Sequence, residues 1–279
     1  DQKPESILAA EKIVSQILVI DHHKQYGFAG SEKTFIIKPQ DFSAIEPSRY
    51  PTAKLAYDLF SRHAPLAEFS WLACVGLIGD AQVKQEQWQS FFREARARHN
   101  CTLGELRSVA NLISAVEVLE PSKLGSLLLF LAGSKPPRDV LQSEFAPYAK
   151  ALEKKVDALL EEFEKKKEIF EDAGLVWFEF GADTNIKSAV INKVSHNRYP
   201  QKTAIFVQDK GDGFVSFSAR RQDFKVKTNE LLENAVKGFE NAGAGGHVPA
   251  SAGRIMKKDL PEFKRRVLEF LQAGRFRQK

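Results

Sequence analysis

The stretch Ile17-Leu18-Val19-Ile20-Asp21-His22-His23 limits what this chain can fold into more than any other. Four apolar residues, three of them β-branched, run without polar alternation, the pattern of a strand buried on both faces in a parallel sheet. The run then ends in a carboxylate and two imidazoles. Open α/β sheets hold their ligands at the C-terminal ends of strands. Imidazole and carboxylate together suit Mn, Fe, Zn or Ni, with Mn and Mg favoured as carboxylates accumulate. Against this stands the plainer reading of histidines as hydrogen-bonded structural groups. The tripeptide alone does not choose between them.

The rest of the chain supplies the context. Residues 4–15 read as a helix, 34–38 as a second strand, and 51–61 as a helix opened by Pro51. Residues 68–79 form a strongly apolar helix ending in Gly79-Asp80, and 83–98 an amphipathic, polar-rich one. The alternation predicts an α/β domain whose sheet begins before residue 1. Helices follow over 106–119 and 124–133, then a break at Ser134-Lys135-Pro136-Pro137. One long helical stretch is expected over 138–172. Its single apolar stripe (Val156, Leu159, Leu160, Phe163) in a Glu/Lys background reads as a connection between domains.

After Gly174 come strands at 175–180, 203–207 and 213–219, the last two around the turn Asp209–Gly213. Helices at 186–197 and 229–241 and a glycine-rich loop before a final helix complete a second, smaller α/β domain. The expected architecture is therefore a mostly parallel α/β domain flanked by helices over 1–133, incomplete at its start, a connecting helix over 134–173, and an α/β domain over 174–279.

Composition enters as a set of exclusions. No run of eighteen apolar residues is present, so a spanning helix is not expected. Cys74 and Cys101 lack a CxxC spacing, which argues against zinc or disulfide frameworks and for a reducing cytoplasm. Asn100-Cys101-Thr102 matches a glycosylation sequon and reads as chance. The net charge of +5 is concentrated near the C-terminus: residues 254–279 hold nine basic residues against three acids. That tail suits a polyanion, or is simply a solvated helix face. The chain begins with Asp1 and its one Met is Met256, as expected of a piece of a longer polypeptide.

Three more stretches bear on chemistry. Asp80, directly after an apolar helix, reads either as a metal carboxylate or, more commonly, as the cap of the next helix near Val83. In residues 241–255 (NAGAGGHVPASAGRI), Gly243, Gly245 and Gly246 permit close backbone approach to an anion, and His247 adds a donor; a tight turn is the alternative. On the strand Val215–Ala219, Val215, Phe217 and Ala219 face one way. Ser216, Ser218 and Arg220 face the other, a surface suited to phosphate or an ordinary solvent face.

Together, ILVIDHH, GLIGDAQ, Ser218-Ala219-Arg220 and Gly245-Gly246-His247…Ala252-Gly253 resemble, in order, the motifs of the DHH phosphoesterase superfamily. The resemblance is to RecJ-like single-strand exonucleases, in particular the archaeal type, and covers nearly the whole chain. The family's first motif, an Asp-x-Asp pair, is absent, and Asp1 falls where its second motif belongs.

The resemblance implies two divalent ions, Mn2+ or Mg2+. Asp1 would bridge the metals, and His22 and Asp80 would complete one metal's ligands. Asp21 would orient an imidazole or join that shell, and His23 would contact the scissile phosphate. Ser218, Arg220, Gly245, Gly246 and His247 would hold nucleic-acid phosphate. The implied function is metal-dependent hydrolysis of single-stranded DNA or RNA, with replisome proteins as candidate partners and no membrane. The alternatives are an inactive Cdc45-like scaffold, or a phosphoesterase of short oligonucleotides or small nucleotides.

Overall fold

In a computed structural model, residues 4–23, 30–133, 136–182 and 184–276 are described. Asp1, assigned above as a metal bridge, lies outside the described residues. The chain divides into two compact units, Asp1–Ala149 and Lys150–Lys279.

The first unit opens with α1 (Pro4–Ala10), shorter than the 4–15 expected, followed by β1 (Ile17–Ile20) and β2 (Thr34–Ile37). The two strands pair in parallel, Ile17 beside Thr34 through Ile20 beside Ile37. Leu18 and Phe35, neighbours in that register, are 50% and 61% exposed. The strand read as covered on both faces is therefore covered on one by the described residues. Five helices follow: α2 (Thr52–Phe60), α3 (Ser70–Gly79), α4 (Gln89–Arg98), α5 (Leu103–Leu119) and α6 (Leu124–Ala132).

Two 3-10 turns, Gln82–Lys84 and Glu86–Trp88, occupy what was expected to be the first part of α4. At Gly76 a Cβ would lie 2.3 Å from that of Ala53, so glycine there lets α2 and α3 touch. The core gathers Leu55, Trp71, Cys74, Leu77, Leu106, Leu112 and Phe145. Cys74 and Cys101 are both buried and free.

The single helix expected over 138–172 is two helices and a strand. α7 (Pro137–Leu141) stops where the Ser143 hydroxyl donates to Val140 O and accepts from Phe145 N, a local alternative to helical bonding. α8 runs Ala146–Lys166, and β3 (Glu168–Phe170) follows at once. The rest of the second unit is β4 (Leu175–Gly181), α9 (Lys187–Asn197), β5 (Thr203–Asp209), β6 (Phe214–Arg220), α10 (Thr228–Val236), β7 (Gly243–His247), β8 (Ala250–Met256) and α11 (Leu260–Phe276).

The sheet order is β3-β4-β5-β6-β8-β7, with β4 and β5 parallel and the other pairs antiparallel. The glycine-rich segment expected to be a loop is thus a hairpin, β7 and β8, turned at Val248-Pro249. Its tip is tied to the start of α10: Thr228 N donates to Val248 O at 2.8 Å.

Strand alternation divides the sheet's two faces. Trp177, Ile205, Val207, Val215, Phe217, Ala219 and Ile255 pack with Leu231, Leu232, Phe263 and Val267 of α10 and α11. On the opposite face Phe163 of α8 meets Phe178 and Phe206, with ring centroids 5.4 and 5.3 Å apart. The apolar stripe of α8 thus covers a sheet face as well as continuing the chain. No helix among the described residues is long and apolar enough to cross a membrane.

Candidate metal and phosphate sites

In the first unit, Asp21, His22 and His23 leave the C-terminal end of β1. Asp21 Oδ1 accepts from His23 N at 3.1 Å and sits 2.7 Å from His23 Nδ1; Oδ2 accepts from Lys38 Nζ at 2.7 Å. Lys38, 4% exposed, also donates to His23 O at 2.7 Å. Burial by itself would raise the Asp21 carboxyl, but Lys38 and His23 outweigh it and hold the group well below the usual carboxylate range.

Both Asp21 oxygens are therefore engaged. The contact of Asp21 with Nδ1 holds the His23 ring. His22 is buried and meets His23 edge to face, ring centroids 4.6 Å apart. Lys38 was not singled out in the sequence. The signal was the parallel register: Ile20 beside Ile37 puts the next residues, Asp21 and Lys38, side by side.

Asp80 follows α3 directly and is exposed. It caps no helix: the next turn, Gln82–Lys84, starts from Ala81 at φ 57° without a side-chain cap. The commoner reading of Asp80 thus falls. Among the described residues its carboxylate has no hydrogen-bond or ion-pair partner, and it sits at a helix C-terminus, where the macrodipole disfavours negative charge. Ile20 and Ile78 pack on one hydrophobic cluster, so the segments carrying Asp21 and Asp80 both leave the same core.

The second unit assembles its residues in rows across β6, β8 and β7. Arg220 stands beside Ala250 and His247; Ser218 beside Ala252 and Gly245; Ser216 beside Arg254 and Gly243. Directly opposed residues share a face, so Ser218, Arg220, Gly245 and His247 lie on one surface, away from α10 and α11. Ser218 is 1% exposed, and Arg220 donates from Nε to Asn192 Oδ1 at 2.8 Å and from Nη1 to Ala219 O at 2.9 Å.

Gly245 is open: a Cβ there would meet nothing within 4 Å. Gly246 belongs to the other face. At φ +134° it brings the chain so close to β8 that a Cβ would lie 2.6 Å from Ala250 O, so its glycine is a backbone requirement. Lys187 and Arg254 join this surface: Arg254 heads the basic stretch 254–279, and Lys187, not singled out in the sequence, donates from the start of α9 to Ser216 Oγ at 2.9 Å. Nothing in the local sequence distinguishes it from other helix lysines.

The basic C-terminal helix does not extend this surface. α11 packs through Phe263 and Val267 on the opposite face, Phe263 stacking on Phe217 at 4.4 Å. Among its described residues Arg265 and Arg266 pair with Glu262, and Lys264 with Glu168.

Residues 171–273 match the DHHA1 domain. The chain carries a RecJ-like DHH fold. It is similar to RecJ of Thermus thermophilus in complex with Mn2+ (TM-score 0.67, 19% identity), covering 92% of this chain and 41% of that one. It is also similar to an exopolyphosphatase-related protein of Bacteroides fragilis (0.57, 14%, covering 99% and 71%). A pGpG-specific phosphodiesterase of Vibrio cholerae is a third (0.51, 13%, covering 98% and 89%). No curated protein sequence matches the chain. The chain thus spans about 41% of the length of that RecJ. In this DHHA1 domain the Ser-x-Arg strand is β6 and the glycine–histidine segment is β7, two strands apart in the sheet with β8 between them.

Proposed function

We propose that the chain is the DHH–DHHA1 part of a metal-dependent phosphodiesterase that acts on single-stranded nucleic acid. The observation that carries this reading is the polar face of the DHHA1 sheet. Arg220 and Lys187 are drawn in among protein atoms with no carboxylate partner among the described residues, and Gly245, two strands away on the same face, leaves open space above the backbone. Cations desolvated without a counter-charge are costly, and a phosphate supplies the missing charge.

On this reading Asp80 and His22 would be ligands of a divalent cation: Asp80 is exposed and its carboxylate has no partner among the described residues, and His22 is an imidazole at a strand end, donor types suited to Mn2+ or Mg2+. A divalent ion held there would lower the pKa of a bound water and stabilise charge on the attacked phosphate. The chain's own groups hold and orient. The Asp21 carboxylate, kept ionised by Lys38, fixes the His23 ring through Nδ1, and Nε2 is the ring atom that would address a phosphate oxygen. Arg220 and His247 grip the strand, and Ser218 lies buried in the strand that carries Arg220. Phosphate contacts of this kind bind with little sequence preference and with steep salt dependence.

The test is hydrolysis of a labelled single-stranded oligonucleotide in Mn2+, by a polypeptide that supplies an Asp-x-Asp motif ahead of residue 1. His22→Ala and Asp80→Ala are each expected to lower the rate by about a hundredfold or more, with unchanged circular dichroism. Degradation at the parental rate by either variant would overturn the metal assignment. Cleavage of dinucleotides alone would move the substrate to the small-nucleotide class.

A further inference from the structure

Lys187 is a buried cation with only neutral hydrogen-bond partners among the described residues. It is 5% exposed. Its Nζ donates to two neutral oxygens, Asn185 Oδ1 at 3.1 Å and Ser216 Oγ at 2.9 Å. Among the described residues no carboxylate pairs with it. It stands in the first turn of α9, at the positive end of the helix dipole. Burial, then the charges of Lys210 and Arg220, push its pKa down to about 8. A lysine placed against burial, two like charges and a helix N-terminus stabilises little in the free protein. An anion arriving beside it relieves all three effects.

The surroundings suit such an anion. Lys187 uses the Ser216 oxygen as an acceptor, which leaves the hydroxyl proton to donate. Across the ladder from Ser216 stands Arg254, exposed, with its guanidinium 5.4 Å from the Phe214 ring centroid. The row ends at Gly243, where a Cβ would meet nothing within 4 Å. Arg220 lies four residues along β6, roughly 13 Å away at about 3.3 Å per strand residue. Between the two cationic rows lies one of small residues; its Ser218 end is buried, and a sugar–phosphate backbone can pass over Ala252 and Gly245.

We propose that Lys187, Ser216 and Arg254 form a second phosphate subsite, so that the DHHA1 face holds two separated phosphates of one single strand and selects oligonucleotides over mono- and dinucleotides. This rests on the nucleic-acid reading given above.

The experiment is fluorescence anisotropy of the full chain with labelled dithymidylate and octathymidylate across a salt series, for the parent, Lys187→Met, Arg254→Met and Arg220→Met. Lys187→Met is expected to weaken octamer binding about tenfold, the loss of one charge-assisted contact. It should also reduce the slope of log K against log salt by about 0.7, with dimer binding unchanged. Arg254→Met, on an exposed strand position, should give the same length dependence and covers the case in which Lys187→Met does not fold. Arg220→Met should weaken both ligands.

Parental octamer affinity and slope in both Lys187→Met and Arg254→Met would overturn the proposal. So would an equal loss on dimer and octamer, which would assign Lys187 to the Arg220 subsite while leaving the nucleic-acid reading intact. Failure of the parent to bind either ligand would remove that reading and the subsite with it.

Discussion

Single side chains here are best understood by asking which charges are answered and which are not. Asp21 is answered twice, by Lys38 and by His23, and its carboxyl is held ionised as a result. Lys187 is answered by neutral oxygens only, and the consequence is measurable in stability. Its pKa in the fold, about 8, lies below the ordinary 10.5. Between those values the unfolded chain binds the extra proton, so folding stability rises with pH through that window. Comparing denaturant unfolding at about pH 7.5 and about pH 10, the parent should gain on the order of 2 kcal/mol relative to Lys187→Met. An identical pH response in the two proteins would show that Lys187 is solvated and unperturbed.

At the scale of elements, the β7–β8 hairpin separates two uses of glycine that look alike in the sequence. Gly246→Ala places a methyl on a backbone at φ +134° and against Ala250 O. It is expected to cost on the order of 1–3 kcal/mol of unfolding free energy. Gly245→Ala adds the same methyl into open space, so stability should stay within about 0.5 kcal/mol while oligonucleotide affinity falls. Urea melts and anisotropy on the two variants check this; equal destabilisation by both would contradict the two roles.

The start of α5 teaches a related lesson. The sequon Asn100-Cys101-Thr102 marks a helix start: Thr102 Oγ1 accepts from Glu105 N at 3.1 Å and Glu105 Oε2 accepts from Thr102 N at 2.7 Å. That capping box begins the helix at Leu103, three residues before the apolar periodicity indicates.

For the molecule as a whole, each unit builds its core from its own residues. The second unit's sheet is packed by α10 and α11 on one face and meets α8 on the other, all supplied from residues 150–279 apart from the first turn of α8. A fragment of those residues is therefore expected to fold by itself. Its amide spectrum should be dispersed, with the Phe163–Phe206 ring contact preserved; a collapsed spectrum would place essential core residues outside it.

Much of this was legible from residue order alone. A strand ending in Asp-His-His, a second strand at 34–37 and the in-and-out alternation of β6 follow from local apolar period and β-branching, which act over neighbouring residues. What tertiary structure decided depends on residues far apart. Lys38 reaches Asp21 because the strands run in parallel register, and Lys187 joins Ser216 from 29 positions away. The basic helix α11 faces the wrong side of the sheet to serve the phosphate surface, because its apolar stripe must cover Phe217. Periodicity sets which face of an element is buried; only packing sets against what, and hence which charges are left facing a ligand.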